Sequence, residues 1–123
     1  MPLILGYFTL ALGLMDISPS VSRTKQKKLA GLFFDKDTRE QRTPCYLIGQ
    51  IGRDDRCGEL VDGGFLIDAA LVMAMMAREK VGGLFVRIDC ARIDGLMRMY
   101  ERLGFEWIQR NEANGLEELV QFF

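Results

Sequence analysis

Tyr46-Leu47-Ile48-Gly49-Gln50-Ile51-Gly52 is the stretch on which the reading of this chain turns. It has the β-branched and aromatic content of a strand, interrupted by two glycines. After it come a loop rich in glycine and arginine and a long apolar run, Phe65 to Met76, of helical length. Leu84-Phe85-Val86-Arg87-Ile88-Asp89 reads as a second strand, followed by a helical segment ending Met99-Tyr100-Glu101-Arg102-Leu103-Gly104-Phe105. This order sets a helix N-terminus at the mouth of a parallel strand pair, with a tyrosine nearby. Such a layout suits a phosphate-bearing cofactor beside a proton donor.

Working outward, Leu3 to Leu12 reads as a strand buried on both faces. Ser18-Pro19 reads as an N-cap and first helical residue. A short helix follows, with Val21, Leu29 and Leu32 inward and Arg23, Lys25, Lys27 and Lys28 outward. The basic run is either a solvated helix face or a contact for an acidic partner or phosphate. Phe33 to Thr43 is a polar, mobile connection, and Pro44 opens the strand that follows. Gly49 and Gly52 mark a bulge, a close approach by another backbone or a ligand, or tight packing under a helix. Asp62 is a candidate N-cap, with Gly63 and Gly64 in the first turn. The helix beyond is apolar almost all round and is expected to be buried, its methionines filling the core. Arg78 and Lys80 suit its C-terminus, and Gly82-Gly83 stop it.

The helix from about Arg92 to Leu103 carries Ile93, Leu96, Met97, Tyr100 and Leu103 on one face, and Gly104 is a left-handed cap. Phe105–Arg110 and Leu116–Phe122 read as two final strands. Strand–helix–strand–helix–strand–strand implies an α/β domain spanning residues 1–123, with a mixed β-sheet flanked by helices.

Composition narrows the chemistry. The 123 residues are 49% hydrophobic and 27% charged, which places the chain among globular proteins. A net charge of −1 argues against broad electrostatic binding to nucleic acid. Cys45, Cys57 and Cys90 are odd in number and far apart, as expected of reduced thiols in the cytoplasm. None has metal-ligand spacing. The apolar N-terminus lacks a basic region, and the Ala69–Ala77 run is too short to span a bilayer, so the reading is a soluble chain with no membrane partner. There is no histidine, which removes imidazole-based nucleophilic catalysis and most zinc hydrolase designs.

The loop from Ile51 to Gly64 offers backbone N–H groups, three glycines (Gly58, Gly63, Gly64) and two arginines (Arg53, Arg56) to an anion. It lacks the lysine of a P-loop and the spacing of a dinucleotide fingerprint. Tyr100 lies on the apolar stripe of its helix, as either a core tyrosine or a proton donor. Asp89 and Glu101 are candidate bases, with surface or capping roles as the alternative.

These segments resemble the GCN5-related N-acetyltransferase (GNAT) family. Tyr46–Gly52 is similar to its fourth strand, which splays from its neighbour to admit the cofactor. Val61-Asp62-Gly63-Gly64-Phe65-Leu66-Ile67-Asp68-Ala69-Ala70-Leu71 resembles the entry to the pyrophosphate-binding helix. Met99–Phe105 resembles the tyrosine–acid–x–x–glycine–phenylalanine end of the next helix, and Gly6-Tyr7-Phe8-Thr9-Leu10 an early strand.

The resemblance implies acetyl-coenzyme A (acetyl-CoA) as cofactor and an amine on a protein, an aminoacyl-tRNA or a small molecule as acceptor. The pantetheine arm would pair with backbone near Gln50, Ile51 and Gly52. The pyrophosphate would sit on amides between Arg53 and Gly64, including Arg56, Gly58, Asp62 and Gly63. Tyr100 would protonate the thiolate of coenzyme A after direct attack by the amine. The family's compact glycine loop is absent in its usual form, and so are its first strand, first two helices and second strand. The helix around Arg23 to Leu32, or a second subunit, would then complete the acceptor site, and the open sheet edge implies a homo-oligomer or a protein partner. A non-catalytic protein that binds a partner, with coenzyme A as structural ligand, and a nucleotide-binding regulator are the alternative readings.

Overall fold

The computed structural model describes residues 6–53 and 63–123. Strand β1 (Gly6–Ile17) leads through a turn to helix α1 (Arg23–Ala30) and a short 3₁₀ turn (Gly31–Phe33). Strand β2 (Gln41–Arg53), helix α2 (Gly63–Val81), strand β3 (Phe85–Cys90) and helix α3 (Asp94–Arg102) follow, then strands β4 (Glu106–Asn111) and β5 (Leu116–Phe122). One five-stranded sheet has the order β1-β2-β3-β5-β4. The β2–β3 pair is parallel and the other three are antiparallel, so the expected mixed sheet is observed.

Successive strand residues face opposite sides of the sheet, and two cores result. On one side α2 and α3 cover Tyr46, Ile48, Val86, Ile88, Cys90 and Leu119. On the other, α1 covers Cys45, Phe85, Ile108 and Val120, together with Met15 and Ile17 from the end of β1. That end folds back over the sheet. β1 and β4 lie at opposite edges, yet Gln109 Oε1 accepts from Ser18 N at 2.7 Å and its Nε2 donates to Asp16 O at 2.7 Å.

Several expectations are revised by tertiary context. Ser18 and Pro19 form a turn, closed by Val21 N donating to Ser18 O, and the N-cap of α1 is Ser22, whose Oγ accepts from Lys25 N. Leu32 is wholly exposed rather than inward, because the helix tightens into the 3₁₀ turn at Gly31. The polar connection is pinned: Arg23 Nη1 donates to Thr38 O, its Nη2 to Lys36 O, and Arg39 Nη2 to Pro19 O. β2 begins at Gln41, ahead of Pro44, because Ile17 to Leu14 pair with Gln41 to Pro44.

β1 is paired only with β2 among the described residues, and its Leu12 and Leu14 are exposed rather than buried on both faces. Leu3 to Leu5 lie outside the described residues. Helix α2 buries Leu66, Ile67, Ala70 and Ala74 against the sheet, but Val72, Met73, Met75 and Met76 face outward. These methionines are surface, not core filler, since no further layer lies over that side of α2 among the described residues. Ile93 is likewise exposed, one residue before α3 begins. No helix among the described residues is long and apolar enough to cross a membrane.

Candidate active site

The parallel ladder between β2 and β3 is short. Tyr46, Leu47 and Ile48 pair with Val86, Arg87 and Ile88, and pairing ends there. β2 nevertheless continues to Arg53 and β3 to Cys90. Beyond Ile48 and Ile88 the strands therefore part, leaving a notch whose β2 wall carries backbone groups with no partner on β3. An extended ligand with amide groups can satisfy them as an added strand would.

The cause is visible one strand over. Tyr7 pairs with Gly52 and Thr9 with Gly49, so β2 spends three steps where β1 spends two. This is a β-bulge within Gly49–Gly52, and it bends the strand and increases its twist. A Cβ at Gly49 would lie 3.2 Å from Thr9 Oγ1, so glycine there also lets β1 approach. Of the readings open for these glycines, the bulge is found, with the close approach of β1 at Gly49.

Helix α2 points its N-terminus at the same end of the sheet. Its C-terminus lies at the opposite end, where Tyr46 Oη donates to Gly82 O at the start of the parallel ladder. The helix thus runs antiparallel to the strands, and its first N–H groups lie toward the notch, where the helix dipole favours an anion. Gly63 and Gly64 open this helix. Gln50, Ile51, Gly52 and Arg53 form the bulged end of β2. Arg56, Gly58 and Asp62, like Cys57, lie outside the described residues.

Tyr100 is held by the end of α3. Phe105 N donates to Tyr100 O at 3.0 Å and Gly104 N to Glu101 O at 3.0 Å, with Gly104 at φ 101°. This is a Schellman cap, which needs a residue that tolerates positive φ. The accompanying apolar contact is Tyr100 against Phe105, edge to face with centroids 6.0 Å apart. The tyrosine–acid–x–x–glycine–phenylalanine pattern is thus a cap that fixes the tyrosine. Its Cβ is tilted toward the N-terminus of α3, back toward the end of β3. Tyr100 is buried in the same cluster as Cys90 and Ile88. Burial first, and the neighbouring Cys90 second, push its hydroxyl above the ordinary tyrosine range.

Of the two candidate bases, Glu101 is exposed on α3, whereas Asp89 is partly buried at the end of β3. Sequence reasoning missed the company Asp89 keeps. Arg87 Nε lies 3.0 Å from Asp89 Oδ1, and Arg87 Nη1 lies 3.9 Å from Glu118 Oε2. Gln109 Nε2 donates to Glu118 Oε1 at 2.6 Å. Arg87 and Glu118 also line a cavity of about 590 Å³ on the α1 side of the sheet, between the folded-back end of β1 and the β4–β5 hairpin. The signal was the alternation Phe85-Val86-Arg87-Ile88-Asp89, which puts both charges on one face.

No family model and no curated protein matches the sequence. Solved structures do match by fold. A tyrosine-to-phenylalanine mutant of the AtaT toxin superposes with a TM-score of 0.63 at 20% identity, over 94% of this chain and 58% of that one. AtaT complexed with acetyl-methionyl-tRNAfMet gives 0.63 at 22% identity, over 97% and 61%. A further bacterial toxin gives 0.61 at 13%, over 96% and 59%. The chain spans about three fifths of the length of these structures. Its mixed sheet, its flanking helices and these superpositions together give it the fold of the GNAT-type toxins.

Proposed function

We propose that this chain is an acetyl-CoA-dependent N-acetyltransferase acting on a primary amine. The observation that carries the reading is the parting of β2 and β3 beyond Ile48 and Ile88, with the α2 N-terminus and Tyr100 at the same end. The notch fits the cofactor on its own terms. The β2 backbone at Gln50, Ile51 and Gly52, unpaired on its β3 side, suits the two amides of a pantetheine arm. Arg53, Arg56, Gly58, Asp62, Gly63 and Gly64 would surround the pyrophosphate at the helix N-terminus.

Bound acetyl-CoA supplies an activated acetyl thioester. The protein then contributes position, by holding the acetyl carbon where an amine can reach it. Tyr100 contributes a hydroxyl that stays protonated at neutral pH. Because burial raises its pKa further above that of a thiol, full transfer of its proton to sulfur is uphill. Its main effect is a hydrogen bond that strengthens as charge grows on sulfur. Among the candidate acceptors on a protein, an aminoacyl-tRNA or a small molecule, the AtaT structure complexed with acetyl-methionyl-tRNAfMet favours the α-amino group of an aminoacyl-tRNA.

Calorimetric titration with acetyl-CoA, with ATP as control, tests the reading. Selective binding of acetyl-CoA supports it, and no binding refutes it for the isolated chain. Tyr100→Phe should lower turnover by roughly 100-fold with little change in affinity for acetyl-CoA. Unchanged turnover removes Tyr100 from this role.

A second reading, a non-catalytic module that binds a protein partner or a second copy, is favoured by the apolar surface. Leu12 and Leu14 on the edge strand and Met73, Met75 and Met76 on α2 are all at least half exposed. Binding of coenzyme A without turnover on any amine would support it.

A further inference from the structure

The notch has two sides, and the chemistry on them differs. Cys90 faces α3, where Tyr100 packs. Asp89, one residue earlier, faces the other way, because consecutive strand residues alternate. Both directly follow Ile88, the last residue paired with β2. The proton donor and this carboxylate therefore flank the mouth of the notch from opposite faces of the sheet.

We propose that Asp89 is the base that takes a proton from the acceptor amine, which enters from the α1 side. The inference rests on the acetyltransferase reading above. Three features of the structure support it. Asp89 Oδ1 is buried, and its close neighbour Arg87 Nε, at 3.0 Å, is not aligned for a hydrogen bond, so the oxygen has capacity for one more donor. The cavity on this side of the sheet reaches the same cluster through Arg87 and Glu118, giving the amine an approach separate from the α2 end of the notch. The groups facing Asp89 are Arg87 on its own strand, Glu118 opposite it on β5 and the Cys45 thiol on β2. Burial first raises the Asp89 carboxyl above the ordinary range and Glu118 adds to this, while Arg87 opposes it, which improves it as a base. The substrate class that follows is a primary amine arriving as its ammonium ion, drawn by two carboxylates that share one arginine.

The proton and bond balance is complete. Asp89 takes one proton from the ammonium and frees the attacking lone pair. The N–C bond forms and the C–S bond breaks. The Tyr100 hydroxyl hydrogen-bonds the departing sulfur, which takes its proton from water. The second nitrogen proton, lost as the amide forms, balances the one gained by sulfur, and Asp89 returns its proton to water.

The test compares the wild type with Asp89→Asn and Asp89→Glu, using methioninamide as the amine probe and N-acetylmethioninamide as control. Calorimetry should show acetyl-CoA affinity within threefold across the three proteins. The ¹³C carboxyl resonance of Asp89 should shift on adding methioninamide and not on adding its acetylated form. Turnover in Asp89→Asn should fall roughly 100-fold and lose the acidic limb of its pH profile, with partial recovery in Asp89→Glu. A carboxyl resonance that ignores the amine, or turnover within threefold of wild type in Asp89→Asn, overturns the assignment while leaving the cofactor reading intact. Should methioninamide not be acetylated, the carboxyl signal alone decides. Failure of the wild type to bind acetyl-CoA refutes the function itself, and this assignment with it.

Discussion

Replacing Gly83 by alanine should cost far more stability than the same change at Gly82, its neighbour in the chain. Both adopt positive φ, 78° at Gly82 and 126° at Gly83. At Gly82 a Cβ would meet nothing within 4 Å, so only the backbone penalty applies, about 1–2 kcal/mol. At Gly83 it would lie 2.5 Å from Tyr46 Cε2 and 3.3 Å from Cζ. The Tyr46 ring cannot swing away freely. It is 3% exposed, stacks edge-on against Phe123 at 5.8 Å, and donates its hydroxyl to Gly82 O. Displacing a packed side chain costs about 1–3 kcal/mol, and a residue held at a sparsely populated φ about the same again. The total for Gly83→Ala is about 2–6 kcal/mol, a large share of the 5–15 kcal/mol typical of a domain. Urea unfolding of the two variants, read from midpoint and slope, measures the difference. Both glycines lie at the end of the sheet opposite the notch, so acetyl-CoA affinity of the folded protein should not change. Equal destabilisation by the two substitutions would refute the argument that the Tyr46 ring is immovable.

Glu117 is nearly inaccessible, and burial alone would push its carboxyl up, but the donors Trp107 Nε1 at 2.8 Å and Arg92 Nη1 at 3.1 Å hold it below the usual range. Its stabilising contribution is therefore complete above the unfolded value of about 4.3 and is lost as pH falls through the folded value. The single tryptophan reports this directly, and Glu117→Gln should flatten the acid limb of a fluorescence-monitored stability curve. Burial, the largest influence, pushes the Cys45 thiol up to about 11 and also raises Cys90. Peptide mapping should find both unmodified by iodoacetamide at pH 7.5 and both modified in urea. Arg23 holds the Asp35–Arg39 connection through three carbonyls, so Arg23→Ala should destabilise the chain by roughly 1–3 kcal/mol and open that connection to limited proteolysis.

Much of this architecture was legible because it is written in local chemistry. The Gly82-Gly83 stop and the Gly104 cap were visible because both need positive φ. β4 and β5 match the two final strands read at Phe105–Arg110 and Leu116–Phe122 to within a residue at each end. Gly49 and Gly52 advertised an irregular strand, although not which irregularity. The errors share a different cause. Apolarity all round α2 was read as burial, yet its outer side has no covering layer among the described residues, and nothing local to the helix encodes how many layers lie above it. Leu32 and Ile93 were placed on the apolar faces by extending helical periodicity past the ends of their helices, by two residues and by one. Gln41 to Thr43 resembled loop because a polar segment pairs with β1 only once the chain has folded back.

The candidate site divides in the same way. The sequence alone determined that Tyr100 sits on a helix ending in a glycine cap, and that a glycine-bearing strand precedes a helix N-terminus. Each of these is set by backbone preferences within a few residues. Only the tertiary structure decided where the β2–β3 ladder stops, that Cys90 and Asp89 face opposite sides of the sheet at that point, and that Arg87, Glu118 and Gln109 gather beneath the folded-back end of β1. Those relations depend on register and on contacts between segments up to about ninety residues apart. A shift of one residue in strand pairing would turn every one of these side chains to the other face.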